Sequence, residues 1–168
     1  MKTPPPFSRR PFADSFSDRN SGRIFSFYNG ITMKEFYQDK VALVTGAGSG
    51  MGQATAIAFA QAGAKVVVVD IDDPSIEETV QAIKALGGTA LGIRCDVADE
   101  AQVAAMVQQA IAAFGRLDAA YNNAGVQSPI AETADASGEE FDRVMGINLR
   151  GIWNCMKYEL RQMREQGN

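Results

Sequence analysis

Val66 to Val69 is an unbroken run of valines, and it limits the fold of this chain more than any other stretch. A strand with one wet face alternates apolar and polar side chains. A continuous β-branched run must instead be buried on both faces. That requires helices above and below it, hence crossover connections and a parallel sheet.

From Lys40 onward the pattern supplies those helices. Val41 to Thr45 is a short apolar strand ending in glycines, followed by an Ala-rich helix over Gly52 to Ala62. After the valine strand, Ser75 to Leu86 reads as a helix opened by the capping box Ser75-x-x-Glu78 and closed by Gly87-Gly88. Ala90 to Cys95 is the third strand. The next helix starts at Asp99 and carries Val103, Met106, Val107, Ala110, Ile111 and Phe114 at helical spacing until Gly115.

Leu117 to Asn122 is the fourth strand, and a last long helix opens at the capping box Ser137-x-x-Glu140. Its stripe of Phe141, Met145, Leu149, Ile152, Met156, Leu160 and Met163 reads as core packing, and Gly167-Asn168 as its stop. The alternation predicts an α/β fold: a Rossmann-like doubly wound parallel sheet with right-handed crossovers, truncated after the fourth strand and the helix that follows. The fourth strand is then an edge, and the last helix has little sheet to lie on. An exposed apolar face is expected at that end.

The expected division is an extension over residues 1–38 and an incomplete NAD(P)-binding domain over 39–168. The first 32 residues are rich in Pro, Ser, Arg and Phe without a helical or strand period, and they read as disordered. Met33 is an alternative start. A mitochondrial presequence is a further reading, disfavoured by Pro4, Pro5, Pro6, Asp14 and Asp18.

Charge and composition remove several functions. Lys2, Arg9, Arg10, Arg19 and Arg23 against Asp14 and Asp18 give the first 32 residues a balance of +3; with −4 for the whole chain, the remainder carries −7. An acidic domain argues against nucleic acid as a partner. With no histidine, His-based zinc sites and Ser-His-Asp or Cys-His catalysis are excluded. Cys95 and Cys155 offer neither a disulfide framework nor a metal spacing. No apolar run reaches the ~18 residues of a membrane helix, so no membrane role is expected and the compartment reads as cytoplasmic.

Thr45-Gly-Ala-Gly-Ser-Gly-Met-Gly52 lies between the first strand and the first helix. The pattern G-x-G-x-x-G fails, because Met51 and Gln53 stand where its third glycine would fall, and no Gly-Lys-Ser/Thr follows to make a P-loop. T-G-x-x-x-G-x-G does fit. Gly46 permits the tight turn, Gly50 lets the backbone close on a pyrophosphate, and Gly52 packs the helix against the strand. Ser49 and Met51 complete the turn at the helix N-terminus, whose free N–H groups and partial positive charge suit phosphates. A turn tightened only for packing is the plainer alternative.

Asp70 ends the second strand, 18 residues after Gly52, where a carboxylate can hold both hydroxyls of a ribose. With Ser49 and Ile71 neutral, no basic residue is evident beside it to take a 2′-phosphate. The expected cofactor is therefore NAD. Asp96-Val97 follows the third strand and Asn122-Asn123-Ala124-Gly125 the fourth. Taken singly, Asp96 reads as a loop cap, and Asn122 and Asn123 as turn formers. Jointly, the four strand ends converge on one crevice.

TGAGSGMG, the strand-end Asp70, CDV at 95 to 97, NNAG at 122 to 125 and NLRGIW at 148 to 153 resemble the short-chain dehydrogenases/reductases in order and spacing. The resemblance implies that Asp70 binds the adenosine ribose, Asp96 accepts from the adenine amino group and Val97 donates to the adenine ring. It implies that Asn123, Ala124 and Gly125 line the cofactor, and that Asn148 is the catalytic asparagine of the helix. Asn148 as a residue that simply bends its helix through a backbone contact remains an alternative.

That family also needs a serine after a fifth strand and Tyr-x-x-x-Lys on the following helix. Here Tyr28, Tyr37, Tyr121 and Tyr158 are followed four places on by Thr32, Val41, Gly125 and Gln162. The resemblance therefore implies an oxidoreductase acting on small alcohols and ketones, with the 168-residue chain alone expected to be inactive. It implies a homo-oligomer at full length. For the chain alone the expectation is aggregation or dependence on a partner, and a non-catalytic binding half-domain is the alternative function.

Overall fold

The computed structural model describes residues 36–167 of the chain. Strands β1 (Val41–Thr45), β2 (Lys65–Asp70), β3 (Thr89–Arg94) and β4 (Ala119–Asn122) alternate with helices α1 (Gly50–Gln61), α2 (Asp73–Ala85) and α3 (Glu100–Phe114). After β4 come α4 (Gly138–Met145), a π-helical turn over Gly146–Gly151, and α5 (Ile152–Gln166). All pairings are parallel, in the order β3-β2-β1-β4. This is the doubly wound sheet expected from the alternation, with β4 at an edge.

The valine run explains the two layers. Val66 and Val68 point into one core with Ala42, Val44, Ala56, Val80 and Ile83, between the sheet and α1 and α2. Val67 and Val69 point into the other with Leu43, Ile93, Val103, Met106 and Leu117, under α3 and α5. Each of the four is fully buried. At about 1.5–3 kcal/mol per buried valine side chain, β2 is the main apolar anchor of both layers.

Several boundaries differ from the sequence expectation. α2 begins before Ser75: its cap is Asp72, whose Oδ2 accepts from Ser75 N at 3.0 Å, with Pro74 in the first turn. Proline suits that position because no partner exists there for the N–H it lacks. The Ser75–Glu78 capping box is therefore not formed. Asp99, Ser137 and Gly115 do take the expected cap positions. β4 begins at Ala119 rather than Leu117, although Leu117 is buried and Asp118 N still donates to Val41 O at 2.9 Å.

The last helix departs most. It is broken by the π-helical turn Gly146–Gly151, and the apolar stripe is not core. Phe141, Met145, Leu149, Met156 and Leu160 are exposed, while Ile152 and Met163 are half-buried. The face turned inward is Gly151, Asn154, Cys155 and Glu159. A π turn adds a residue to the local repeat and rotates everything after it. Gly151 lies so close to β3's exit that a Cβ there would meet Val97 Cγ2 at 2.7 Å. The close approach, not the apolar stripe, selects the packed face. The exposed apolar face anticipated at this end of the sheet is present.

Of the extension over residues 1–38, residues 1–35 lie outside the described residues. Tyr37, assigned to it from sequence, packs edge-on to Phe59 at 5.1 Å and donates its N–H to Ala62 O at 3.2 Å. Tyr37 thus packs against the end of α1, because an aromatic ring beside an apolar helix end gains by covering it.

Candidate functional site

The C-terminal ends of all four strands open on one cleft of about 430 Å³. Gly46, Ser49, Gly50 and Met51 line it from the first loop, Asp70 from the second, Asp96 and Val97 from the third, and Asn123, Ala124 and Gly125 from the fourth. Every sequence-predicted binding residue except Gly52 is on its wall. Val69, Ile71, Cys95, Val126 and Ile147 also line it. They flank the singled-out residues, and apart from Cys95, which belongs to the CDV segment, no chemical signal of their own marks them.

The first loop is built by close approach. Gly46 has φ +63, and a Cβ on it would sit 2.9 Å from Ala124 Cα. Gly52 is beneath the cleft: its Cβ would fall 1.9 Å from Gly46 O, so α1 meets the end of β1 only through a glycine. Gly50 has φ +54 and open space over its α-carbon. Gly48, at an unspecified position of the T-G-x-x-x-G-x-G motif, is held by its N–H donating to Asp70 Oδ2 at 2.8 Å, and a Cβ there would meet Ser75 Cβ at 2.6 Å.

The N-terminus of α1 is free to take an anion. Asp72, Asp99 and Ser137 cap α2, α3 and α4 with their side chains. Ser49, at the head of α1, makes no such bond, and no acidic residue sits in that first turn. Its leading N–H groups therefore keep their capacity and their partial positive charge, and they face the cleft. A dinucleotide pyrophosphate fits this cradle by charge and by the space over Gly50.

At the end of β2, Asp70 Oδ1 accepts from Ile71 N at 2.7 Å and Oδ2 from Gly48 N. The carboxylate is fixed by backbone donors on both sides and still lines the cleft. From sequence no basic residue was expected beside it. The parallel register corrects this: Arg94 is the Cα partner of Asp70 on β3. Its Nε donates to Ile71 O at 3.1 Å and lies 3.7 Å from Asp73 Oδ2, so part of its charge is already answered. Pairing across strands is invisible until the register is known.

Asp96 behaves as the loop cap considered from sequence, Oδ1 accepting from Ala98 N at 2.9 Å, while remaining on the cleft wall. Asn123 is a tie. Its N–H donates to Thr45 Oγ1 at 3.0 Å and its Nδ2 to Thr45 O and Gly46 O, each at 3.2 Å. Two adjacent loops are thereby locked together.

Asn148 stands inside the π turn but not on the cleft wall. Its Oδ1 accepts from Val126 N and its Nδ2 donates to Val126 O, both at 2.8 Å. The side chain clamps a backbone 22 residues away rather than its own helix. Burial, with Asp96 and Asp99 adding to it, pushes the Cys95 thiol up to about 11, and burial with Glu159 and Cys95 pushes Cys155 up to about 12. Both are neutral thiols at physiological pH, so the cleft wall carries no thiolate nucleophile there. Among the described residues no group of three or more His, Cys, Asp or Glu is placed to hold a metal, and no helix is long and apolar enough to cross a membrane.

Known proteins share this arrangement. The chain is 44% identical over 128 residues to a 2,5-dichloro-2,5-cyclohexadiene-1,4-diol dehydrogenase of Sphingobium indicum, covering 76% of this chain and 50% of that protein. It superposes on levodione reductase with a TM-score of 0.76 at 41% identity, covering 79% of this chain and 52% of the other. A short chain dehydrogenase/reductase from Burkholderia phymatum, solved in complex with NAD, gives a TM-score of 0.76 at 35% identity over 79% of this chain and 47% of that one. The chain spans about half the length of the curated relatives it matches. The family profile described as short chain dehydrogenase matches residues 40–168, and the chain belongs to that family.

Proposed function

We propose that this chain is the NAD(H)-binding part of an oxidoreductase that moves hydride between NAD(H) and a carbinol/carbonyl pair of a small molecule. The observation that carries the proposal is the uncapped N-terminus of α1 at a cleft that the Asp70 carboxylate also lines. When bound, the nicotinamide group supplies a two-electron hydride acceptor or donor. The chain's own residues supply binding. The N–H groups of the first loop take the pyrophosphate, Asp70 the adenosine ribose hydroxyls, and Asp96 and Val97 the adenine. Asn123 and Asn148 position the walls on which these groups stand.

Charge supports NAD over NADP. A 2′-phosphate beside Asp70 meets repulsion of order 4 kcal/mol per unit charge pair at ~4 Å and an effective dielectric of 20. Arg94 offsets part of this, but Asp73 and the Ile71 carbonyl already engage it. Calorimetric titration of the purified protein with NADH and NADPH tests the reading: NADH is expected to bind and NADPH to bind at least tenfold more weakly, a difference of about 1.4 kcal/mol. Absence of NADH binding overturns it.

No tyrosine of the 168 residues carries a lysine four places on, so this chain by itself is expected to give no turnover. A second reading, a binding half-domain completed by another chain, is favoured by the exposed Phe141, Leu149, Trp153 and Leu160 along α4, the π turn and α5. A homo-oligomer closed through that face is the proposed assembly in either case.

A further inference from the structure

Among the described residues, the buried polar side chains are Thr45, Thr79, Asn154 and Glu159. The first three are answered. Thr45 Oγ1 accepts from Asn123 N, Thr79 Oγ1 donates to Ala47 O, and Asn154 Nδ2 donates to Val97 O. Glu159 is different. It is 2% exposed and accepts one bond, from Asn122 Nδ2 to its Oε2 at 2.8 Å. Its Oε1 and Asn122 Oδ1 are both shut from solvent and both lack a partner.

Two unmet acceptors on two groups that already share one hydrogen bond have a common remedy. One proton on Glu159 turns a carboxylate oxygen into a donor for the amide oxygen. The amide N–H already serves the other oxygen. An acid and an amide then satisfy each other with two bonds, and no buried acceptor is left over. An ionised Glu159 would instead set a charge beside an unmet carbonyl oxygen in an apolar layer.

The surroundings favour the uncharged form. On α5 the titratable neighbour is the Cys155 thiol, four residues back, itself beside Cys95 of the β3 end. From β4 the facing group is neutral Asn122. The α3 face packed nearby contributes Val103, Met106, Val107 and Ala110, and Glu100 at its head is taken by Lys157 and Tyr158. Burial pushes the Glu159 carboxyl above its ordinary value, with the Asn122 bond only partly opposing it.

Asn122 also precedes the tie that holds the cofactor loop. Its side chain reaches down to α5, and the next residue, Asn123, reaches across to Thr45 and Gly46. We propose that Glu159 is held as an uncharged carboxylic acid closing an acid–amide ring with Asn122, and that it is thereby a positioning residue for the 122–125 loop under the cleft. For its effect on the cleft this rests on the NAD(H)-binding reading; the ring itself does not.

The test compares the wild-type chain with Glu159→Gln and Glu159→Ala. Glutamine can form an amide–amide ring of the same shape without titrating. In infrared difference spectra near neutral pH, the wild type is expected to show a protonated carboxylic acid band that Glu159→Gln lacks. A carboxyl raised in the folded state lends stability below its ordinary value of 4.5 and loses it as pH rises through the folded value. The wild-type melting temperature should therefore fall against that of Glu159→Gln as pH rises above 4.5 toward the raised folded value.

NAD+ affinity is expected to stay within about twofold in Glu159→Gln and to drop on the order of tenfold in Glu159→Ala. An absent acid band, or parallel melting profiles, overturns the ring. Full NAD+ affinity in a folded Glu159→Ala overturns the positioning role. Should Glu159→Ala not fold, a falling affinity of the wild type relative to Glu159→Gln as pH rises supports the role, and parallel affinities overturn it. Failure of the wild type to bind NAD+ at any pH overturns the cofactor reading and the positioning role, while the band and the melting profiles still decide the ring.

Discussion

Gly52 and Asp70 do different work at the same cleft, and substitution separates the two. A Cβ on Gly52 would lie 1.9 Å from the Gly46 carbonyl oxygen, a backbone atom that cannot rotate away. Gly52→Ala must therefore push α1 off the end of β1. An overpacking loss of about 1–3 kcal/mol is expected, read as a lower denaturant midpoint, together with loss of NADH binding. Asp70→Asn keeps the shape and removes the charge, but its NH2 replaces one of the two oxygens that accept from Gly48 and Ile71, a loss of about 1–3 kcal/mol for the unmet N–H. It should leave the fold intact and narrow the NADH to NADPH affinity ratio by about tenfold or more, since Arg94 remains on the neighbouring strand. An unchanged ratio would mean that Asp70 does not face the ribose. Gly46, Gly50 and Asp70 were legible in the sequence because each is required by local backbone geometry or by its place at a strand end. Gly48 and Arg94 were not, because their partners, Asp70 and Ile71, are reached through tertiary contacts over 22 and 23 residues.

Elements were legible in proportion to how local their causes are. The parallel sheet follows from the valine run and the alternation, and the caps at Asp99, Ser137 and Gly115 follow from neighbours in sequence. The π turn has no such signal. It exists where Asn148 binds Val126 and Gly151 meets Val97, two contacts made across the fold. That account predicts the outcome of Asn148→Ala. Two backbone groups of Val126 lose partly buried partners, at about 1–3 kcal/mol for each one left unmet. Thermal melting should shift down, and hydrogen exchange should quicken at Val126 while the amides of β1 and β2 keep their protection. Equal quickening throughout would show instead that the clamp supports the whole domain. The misjudged stripe has the same origin: helical spacing marks a face as apolar but does not say whether this chain or another covers it.

At the scale of the whole molecule, the sheet is covered unequally. The layer between α1, α2 and the sheet closes over Ala56, Val80 and Ile83; β1 is buried throughout and β2 from Val66 to Val69. On β4 and in the helical segment after it, Tyr121, Phe141, Leu149, Trp153 and Leu160 remain exposed. An apolar patch of that kind on an otherwise acidic domain is either an interface or a route to aggregation. Charge placed on it should discriminate. Leu149→Glu with Leu160→Glu removes two side chains that are 60% and 57% exposed, so little core is lost. Their stability effect should stay within about 0.5 kcal/mol each. Association, in contrast, should change sharply. In sedimentation velocity the wild-type chain is expected to run as dimers or larger species, and the double variant as a monomer of 18.0 kDa. If both sediment alike, contact through this face plays no part in assembly. The edge of β4, which among the described residues has no neighbouring strand on its outer side in the order β3-β2-β1-β4, then becomes the surface to test, because an unpaired edge can recruit a strand without any help from side chains.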